Sequence, residues 1–421
     1  YYVLFYLCAF AIYYFLIHKA ARVSDLKTAK KSVIAFVILI AIIPIYKNLA
    51  LRNDNNSKLL AEYTLLNTPF YNATALVRTF HENRQIRRIA TQKVEYQYNK
   101  NSDNTEVYIL ILGESVRRDH LGIYGYQHDT TPNLMKEKSN LILFNQVYSP
   151  APVTILSVPI SLSNIGLEQL QDKSHYADNI VSLANHAGFK TYWLSNQGEG
   201  NQKTSVISVI ANMAQNKKWN EFIGYDEELL PYLDQALNEP STQKKLIILH
   251  TYGSHEPACN RFPNQYLKKF TQEDDDNCYD SSIAYTDKLI NDIIERVKDK
   301  PASILYFADH ALQRLDKNRE VRYHHGVNTP RKEAYDIPLF IWYSPSSIKP
   351  IINDDAVNKP YSTVNNYWLL SSWLGIEHNS PQKCHSPLNE CYQPKSPITV
   401  IDGNKNLLNY DLLSSEEQEP Q

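Results

Sequence analysis

Glycine is scarce in this chain, with 12 residues in 421, so a glycine beside a motif carries more information than usual. An excess of basic charge is missing too. Lys and Arg number 43 against 45 Asp and Glu, a net charge of −2, which argues against a nucleic-acid partner and its need for a clustered basic face. No Cys-x-x-Cys pair occurs and no internal repeat is visible. The chain does not begin with Met, and it opens inside an apolar run. More N-terminal sequence is therefore expected to precede it.

What is present starts with that run. Tyr1 to Ile17 contains no charged residue, and Val33 to Tyr46 is a second apolar stretch. A spanning helix needs roughly 20 apolar residues. The first run is just long enough, and the second, short alone, must recruit Lys47 to Leu51 by snorkelling. A buried core helix is the alternative for the second run. Two spans are the preferred reading, giving residues 1–52 a membrane role. Lys19, Arg22, Lys27, Lys30 and Lys31 face only Asp25 in the loop between the runs. Short basic loops stay cytoplasmic, so the bulk of the chain belongs on the outer side. A cleaved signal peptide is the rival for the first run, but no small-residue cleavage site follows it.

The cysteines fit an oxidising compartment. Cys8 sits in the first apolar run, and Cys259, Cys278, Cys384 and Cys391 remain. Four cysteines allow three pairings. Local pairing, Cys259 with Cys278 and Cys384 with Cys391, is expected of a protein outside the cytoplasm.

Hydrophobic residues make up 43% and charged residues 21%, enough for a packed core in one large domain or two to three smaller ones. Residues 53–104 are polar and helix-compatible and read as a connector. From 105 to 413 short apolar runs end abruptly in polar residues. Val107 to Leu112 leads to Gly113-Glu114, Phe189 to Leu194 to Ser195-Asn196-Gln197, and Leu246 to Leu249 to His250. Ile304 to Ala308 leads to Asp309-His310, and Ile337 to Tyr343 to Ser344-Pro345. Such runs suit strands buried on both faces of a parallel sheet. Asn179 to His186, stopped by Gly188, and the apolar face Ile283, Leu289, Ile290, Ile293, Ile294 and Val297 predict helices between them. The expected fold is α/β, with a mostly parallel central sheet flanked by helices and ligands at the carboxyl ends of the strands. Residues 414–421 form an acidic tail, expected to be disordered.

The chemistry gathers at those strand ends. Glu114, Asp309 and His310 each follow an apolar run directly, and carboxylate with imidazole is a ligand set for zinc. His255 and His325 fall in loops at the same end. Thr154, after Pro150 and Pro152 and before an apolar helical run, is the candidate nucleophile. A helix N-terminus favours an anion there. The competing role for Thr154 is an ordinary N-cap, and Ser157, one turn on, is a substitute nucleophile.

These segments resemble the phosphoethanolamine transferases, in the sulfatase-like branch of the alkaline phosphatase superfamily. The resemblance runs from about Val107 to Trp342. It is carried by Leu112-Gly113-Glu114-Ser115-Val116-Arg117-Arg118-Asp119-His120 and Thr154 with Ser157-Val158-Pro159. Gly253-Ser254-His255-Glu256-Pro257, Asp309-His310 and His324-His325-Gly326 complete it. It implies that Glu114, Thr154, Asp309 and His310 hold zinc, with Thr154 also the nucleophile. It implies that His255 and His325 bind the transferred phosphate, a second metal or the leaving group. Asn196, Gln197 and Lys203 fall where the family places polar substrate contacts. The implied protein is a multi-pass enzyme of the bacterial inner membrane with its catalytic domain in the periplasm. It would take phosphatidylethanolamine as donor and lipid A, a core sugar or another envelope glycan as acceptor. The family has Gly-Glu after its Asp-His pair where this chain has Ala311-Leu312, which bears on the second metal and the acceptor. The two cysteine pairs are few for the lipid A enzymes and favour a core-sugar or other glycan acceptor.

Three other readings compete. A sulfatase activity requires Cys or Ser with Pro two residues on and Arg four residues on, and Ser149 has Ala151 and Val153 there. A phosphoglycerol transferase of the same superfamily would share the threonine and the anchor. A non-catalytic envelope-binding paralogue would need no stoichiometric zinc.

Overall fold

A computed structural model divides the chain into two compact units, Tyr1–Glu82 and Asn83–Gln421. It describes Tyr14, Phe80, Arg84, Arg88, Ile89 and Thr91, and then Gln92 to Glu416 apart from residues 102, 199–204, 221–223, 315–322, 327 and 353. Apart from Tyr14, both apolar runs expected to span a membrane lie outside the described residues, as does Lys203. Among the described residues no helix is long and apolar enough to cross a membrane.

The second unit is built on seven strands: β1 (Val107–Gly113), β2 (Leu141–Phe144), β3 (Lys190–Ser195), β4 (Asn216–Trp219), β5 (Lys245–His250), β6 (Ala302–Ala308) and β7 (Leu339–Tyr343). Their order across the sheet is β2-β7-β6-β1-β5-β3-β4. β1 lies parallel between β5 and β6, and β3 lies parallel between β5 and β4. β7 alone runs the other way, antiparallel to both β6 and β2. Every residue of β1, β5, β6 and β7 is buried, which is why these segments read as unbroken apolar runs rather than as alternating ones.

Helices pack against the sheet, whose central strands are buried on both faces, as crossovers between parallel strands allow. The main ones are α1 (Thr154–Leu162), α2 (Ile180–His186), α3 (Val206–Asn212), α4 (Leu230–Asn238), α5 (Asp274–Val297) and α6 (Asn366–Trp373). α2 starts at Asn179, whose side chain accepts the N–H groups of Val181 and Ser182, and it stops before Gly188 at φ 82°. α5 opens on Asp274, Asp275 and Asp276, acidic residues that suit a helix N-terminus. It buries the face traced by Ile283, Leu289, Ile290, Ile293, Ile294 and Val297. The structure pairs Cys259 with Cys278 and Cys384 with Cys391, the local pairing expected from sequence.

Two terminal segments differ from their expectation. The end of the connector is extended rather than helical. Tyr98–Lys100 pairs antiparallel with Ile376–His378, and Asn101 N–H continues the pairing to the Gly375 carbonyl at 2.8 Å. The start of the acidic tail is docked. Glu416 accepts both Arg117 Nη1 (2.9 Å) and the Arg314 N–H, and Ser415 bonds Glu333. Arg117 is buried, and a buried guanidinium requires anionic partners, so it orders residues that composition alone would leave loose.

Candidate active site

Strand register places the site. Gly113 is level with Ala308, Leu112 with His250, and His250 with Ser195. The ladder runs one step beyond the strands, through Asp309 N–H to the Gly113 carbonyl (2.9 Å), Thr251 N–H to Leu112 (3.1 Å) and Asn196 N–H to His250 (2.9 Å). Glu114 and Asp309 are thus the first residues to leave two adjacent parallel strands, and their carboxylates emerge side by side.

The turn after Glu114 is unusual. Ser115 holds φ 61°, a left-handed conformation that costs a non-glycine residue roughly 1–2 kcal/mol. Its N–H reaches Asp309 Oδ1 (3.2 Å) and its hydroxyl reaches Glu114 Oε1. Tyr279 of α5 donates its hydroxyl to the Ser115 carbonyl (2.7 Å) and accepts the Arg117 N–H (3.0 Å). Gly253 crosses the same turn at φ 43°, where a Cβ would stand 2.6 Å from the Glu114 carbonyl oxygen. Ser254 N–H then donates to that carbonyl at 2.9 Å. Only glycine lets the loop carrying His255 lie this close.

Thr154 is the first residue of α1. Val153 occupies the N-cap position, and no side chain caps the helix. The N-cap role weighed for Thr154 therefore does not describe it. Its Oγ1 donates to Glu114 Oε2 at 2.8 Å and lies 3.2 Å from His310 Nε2. Ser157 is buried, and its hydroxyl donates to the Asp309 carbonyl. That leaves Ser157 as a brace for Asp309 rather than a second free hydroxyl.

Glu114, Asp309 and His310 are at most 1% exposed. His310 Nε2 lies 3.2 Å from Glu114 Oε1 and 3.6 Å from Asp309 Oδ2. Burial, with the neighbouring Glu114 charge, pushes the Asp309 carboxyl up to about 7. Burial opposes charge on His310 as well, yet the two carboxylates raise it to about 9. Burial likewise disfavours ionised Glu114, but His310 beside it holds its carboxyl well below the usual range. Two buried acids thus share one imidazolium, and an unpaired buried charge costs several kcal/mol. Asp309 Oδ2 is buried with no hydrogen-bond partner. An orphaned carboxylate oxygen facing an imidazole nitrogen and a second carboxylate fits a zinc-class cation in ligand type and charge. One donor atom from each of the three residues falls within 4.8 Å of the others.

The remaining sequence candidates divide. Gln197 donates Nε2 to Glu114 Oε2 (3.0 Å) and to the Thr251 carbonyl (2.8 Å), so it orients the carboxylate. Asn196 points elsewhere, to Asp226 Oδ1 at 2.8 Å. Asp226 in turn accepts the N–H groups of Tyr252 (2.7 Å) and Gly253 (2.8 Å). Asn196 therefore shapes the loop and does not line the centre. His255 and His325 come together at 5.2 Å between ring centroids, and His325 stands 4.8 Å from His310. With Glu114 they offer a second group of donors within 4.8 Å. Ala311 and Leu312, where the resemblance departs, are fully buried in the core. Ser115, Asp226 and Tyr279 escaped the sequence reading because their roles are set by partners remote in the chain.

Comparison with known proteins agrees with this architecture. Residues 106–376 match the Sulfatase family. The chain is 36% identical over 419 residues to the putative transferase YhbX of Escherichia coli K12, covering 98% of this chain and 76% of that protein. It is 26% identical over 325 residues to the phosphoethanolamine transferase OpgE of the same organism, covering 75% of this chain and 59% of that one. The zinc complex of the C-terminal periplasmic domain of EcEptC from Escherichia coli superposes with a TM-score of 0.68 at 23% identity. It covers 77% of this chain and 98% of that domain.

Proposed function

Because the chain belongs to the sulfatase family, in the branch that holds the phosphoethanolamine transferases, we propose that it moves phosphoethanolamine between envelope lipids and glycans. The donor in this reading is phosphatidylethanolamine. The acceptor is a lipopolysaccharide or lipooligosaccharide, at lipid A or a core sugar, or a related envelope glycan. The enzyme works from the bacterial inner membrane with its catalytic domain in the periplasm, in keeping with the basic loop between the two apolar runs.

The observation that carries the reading is the Thr154 hydroxyl, set at a helix N-terminus 2.8 Å from Glu114 Oε2 and 3.2 Å from His310 Nε2. Glu114, Asp309, His310 and Thr154 would hold zinc, which when bound supplies positive charge that favours an ionised hydroxyl and offsets charge on phosphoryl oxygens. Thr154 Oγ1 gives up its proton along its hydrogen bond to Glu114 and bonds to phosphorus. The bond from phosphorus to the diacylglycerol oxygen breaks, and that oxygen takes up a proton from His255 or His325. Phosphoethanolamine is then an ester of Thr154. An acceptor hydroxyl oxygen then bonds to the same phosphorus as the bond from phosphorus to Thr154 Oγ1 breaks, and the proton the acceptor loses is balanced by the one Thr154 regains. Two half-reactions at one residue require ping-pong kinetics.

The test is to incubate the full chain with a fluorescent phosphatidylethanolamine and no acceptor, with and without a zinc chelator. Intact mass should show a phosphoethanolamine-sized adduct on the wild type. The adduct should be absent from Thr154→Ala and after chelation, with transfer lowered on the order of 10³-fold or more in the variant. Zinc-loaded wild type that neither forms the adduct nor releases diacylglycerol would sink the reading.

A further inference from the structure

Thr154 opens α1 at the centre just described, and two residues past the other end of that helix, at Asn164, two clefts meet. The helix puts roughly 14 Å between them and Thr154. One cleft has a volume of about 450 Å³ and the other of about 280 Å³. Glu95, Asn164 and Asp178 line both, so the two form one groove beside residues 92–97. We propose that this groove is a saccharide-binding site, taking an uncharged stretch of glycan outside the catalytic centre.

Its lining is amide, carboxylate and aromatic. Gln92, Gln97, Gln169 and Gln382 add side-chain amides to that of Asn164. An amide offers donors and an acceptor in one plane, and a carboxylate has two accepting oxygens, which suits the neighbouring hydroxyls of a sugar ring. Trp368 of α6, half-buried, lines the smaller cleft with Tyr96 and Tyr367. An indole joins an apolar face to a polar N–H edge, as the C–H face and hydroxyls of a sugar require. Glu95 and Asp178 stand against Lys93 and His175, so the groove holds no surplus of positive charge for a phosphate-rich ligand. Among the described lining residues Val94 is the one aliphatic side chain, which does not suit an acyl chain.

Two buried atoms on the smaller cleft are left unsatisfied. Asp178 Oδ1 and His378 Nε2 have no hydrogen-bond partner, and both residues line that cleft. His378 is only 8% exposed. Buried polar atoms are paired in nearly every case, so two unpaired on one cleft mark a place for the polar groups of a ligand. Burial lowers the His378 imidazole below its ordinary value. A neutral ring meets a hydroxyl as donor or acceptor according to its tautomer. Both side chains are held in place. Asn164 Nδ2 donates to Asp178 Oδ2 at 2.9 Å, and the Asn164 N–H donates to the Asp178 carbonyl at 2.8 Å. His378 ends the strand paired with Tyr98–Lys100, and its ring packs 5.0 Å from that of Trp368. The groove is therefore formed before any ligand arrives, as small-molecule sites usually are.

The inference concerns binding alone and does not rest on the transferase reading. The full chain, in a detergent without a sugar headgroup, would be titrated with maltoheptaose and with lipid-free, dephosphorylated core oligosaccharide. Binding would be read by saturation-transfer NMR. At least one of the two should bind through its ring protons. Affinity should fall roughly tenfold or more in Trp368→Ala and in Asp178→Asn, and should stay at the wild-type value in Thr154→Ala. No binding of either saccharide to wild type overturns the site, as does unchanged affinity in both groove variants. Loss of binding in Thr154→Ala would move the saccharide to the transferase centre and overturn the assignment equally. Melting temperature and zinc content check the fold of each variant. Asp178→Asn preserves shape, so if Trp368→Ala fails to fold, Asp178→Asn decides.

Discussion

Two buried aspartates, Asp280 and Asp309, each lie beside histidine, and they differ in one respect. Asp280 is fully buried. His120 Nδ1 lies 2.7 Å from its Oδ1, while His128 Nδ1 (2.7 Å) and the Tyr126 hydroxyl (3.0 Å) meet its Oδ2. Asp309 is equally buried, yet its Oδ2 has no hydrogen-bond partner, His310 Nε2 standing off at 3.6 Å. Residue types and burial are alike, so neither distinguishes a structural knot from a chemical centre. Saturation does. Asp280 has both oxygens hydrogen-bonded by protein groups, whereas the Asp309 centre gathers two carboxylates around one imidazole and keeps an open oxygen.

The largest effects should come from exchanging the fates of these two aspartates. Asp280→Ala leaves two imidazoles and a tyrosine hydroxyl without their acceptor, and should cost about 3–5 kcal/mol of stability by denaturant titration. Zinc content per folded molecule should be unchanged. Asp309→Asn should behave in the opposite way. It removes repulsion from Glu114, so the metal-free chain should be as stable as wild type or more so. Its zinc affinity should fall by roughly 100-fold or more. A strongly destabilised Asp309→Asn together with a zinc-poor Asp280→Ala would break the comparison.

The pH dependence of the chelated chain sharpens it further. Asp309 is raised to about 7, above its unfolded value, so the folded chain favours its protonated form. The stability this lends is complete at acid pH and is lost as pH rises towards and through 7. His310 is raised to about 9, so its contribution is complete below the ordinary histidine range and is lost as pH rises through 9. Both slopes have the same sign. Thermal melting of the chelated wild type should therefore fall between pH 5 and 9, and Asp309→Asn should flatten the lower part of that fall. Glu114, held low, acts only on the acid side, where its contribution is lost as pH drops. Saturating zinc should remove the decline, because bound metal replaces the proton as the compensating charge. A chelated chain that gains stability from pH 5 to 9 would contradict the charge balance drawn here.

The same contrast bears on what could be read from sequence. β1, β3, β5, β6 and β7 were visible because strands buried on both faces must be apolar throughout. β4 was not, because Asn-Lys-Lys-Trp lies at the sheet edge, paired to β3 alone. Nor was the reversal of β7, since an apolar run carries no sign of direction. Glu114, Asp309 and His310 were visible as polar residues directly after those runs, and Thr154 through its prolines. Asp280, Asp226 and Tyr279 were not, because their partners lie between 26 and 164 residues away. Asn196 and Gln197, adjacent in sequence, point to different acids, and only the register of β3 against β5 decides which one reaches Glu114.

Backbone fit should give an intermediate effect. Gly253→Ala places a Cβ 2.6 Å from the Glu114 carbonyl at a positive φ. The loop must retreat or the Glu114 turn must move, at roughly 1–3 kcal/mol. Zinc binding should weaken along with stability, because the displaced group is the backbone of Glu114, a proposed ligand. Stability lost with zinc affinity unchanged would show that the loop, and not the turn, absorbs the clash.

Ser157→Ala should be the mildest change and the most telling about Thr154. The two hydroxyls are one helical turn apart, and sequence offered either as the nucleophile. Ser157 spends its proton on the Asp309 carbonyl and is buried, so its removal leaves a buried acceptor unsatisfied, at about 1–3 kcal/mol. Thr154 keeps its contacts with Glu114 and His310 in that variant, so phosphoethanolamine adduct formation should stay within about tenfold of wild type. Loss of the adduct in Ser157→Ala, with its retention in Thr154→Ala, would reverse the assignment. It would also mean that the hydroxyl bonded to a main-chain carbonyl is the reactive one, and that saturation does not separate structure from chemistry in this fold.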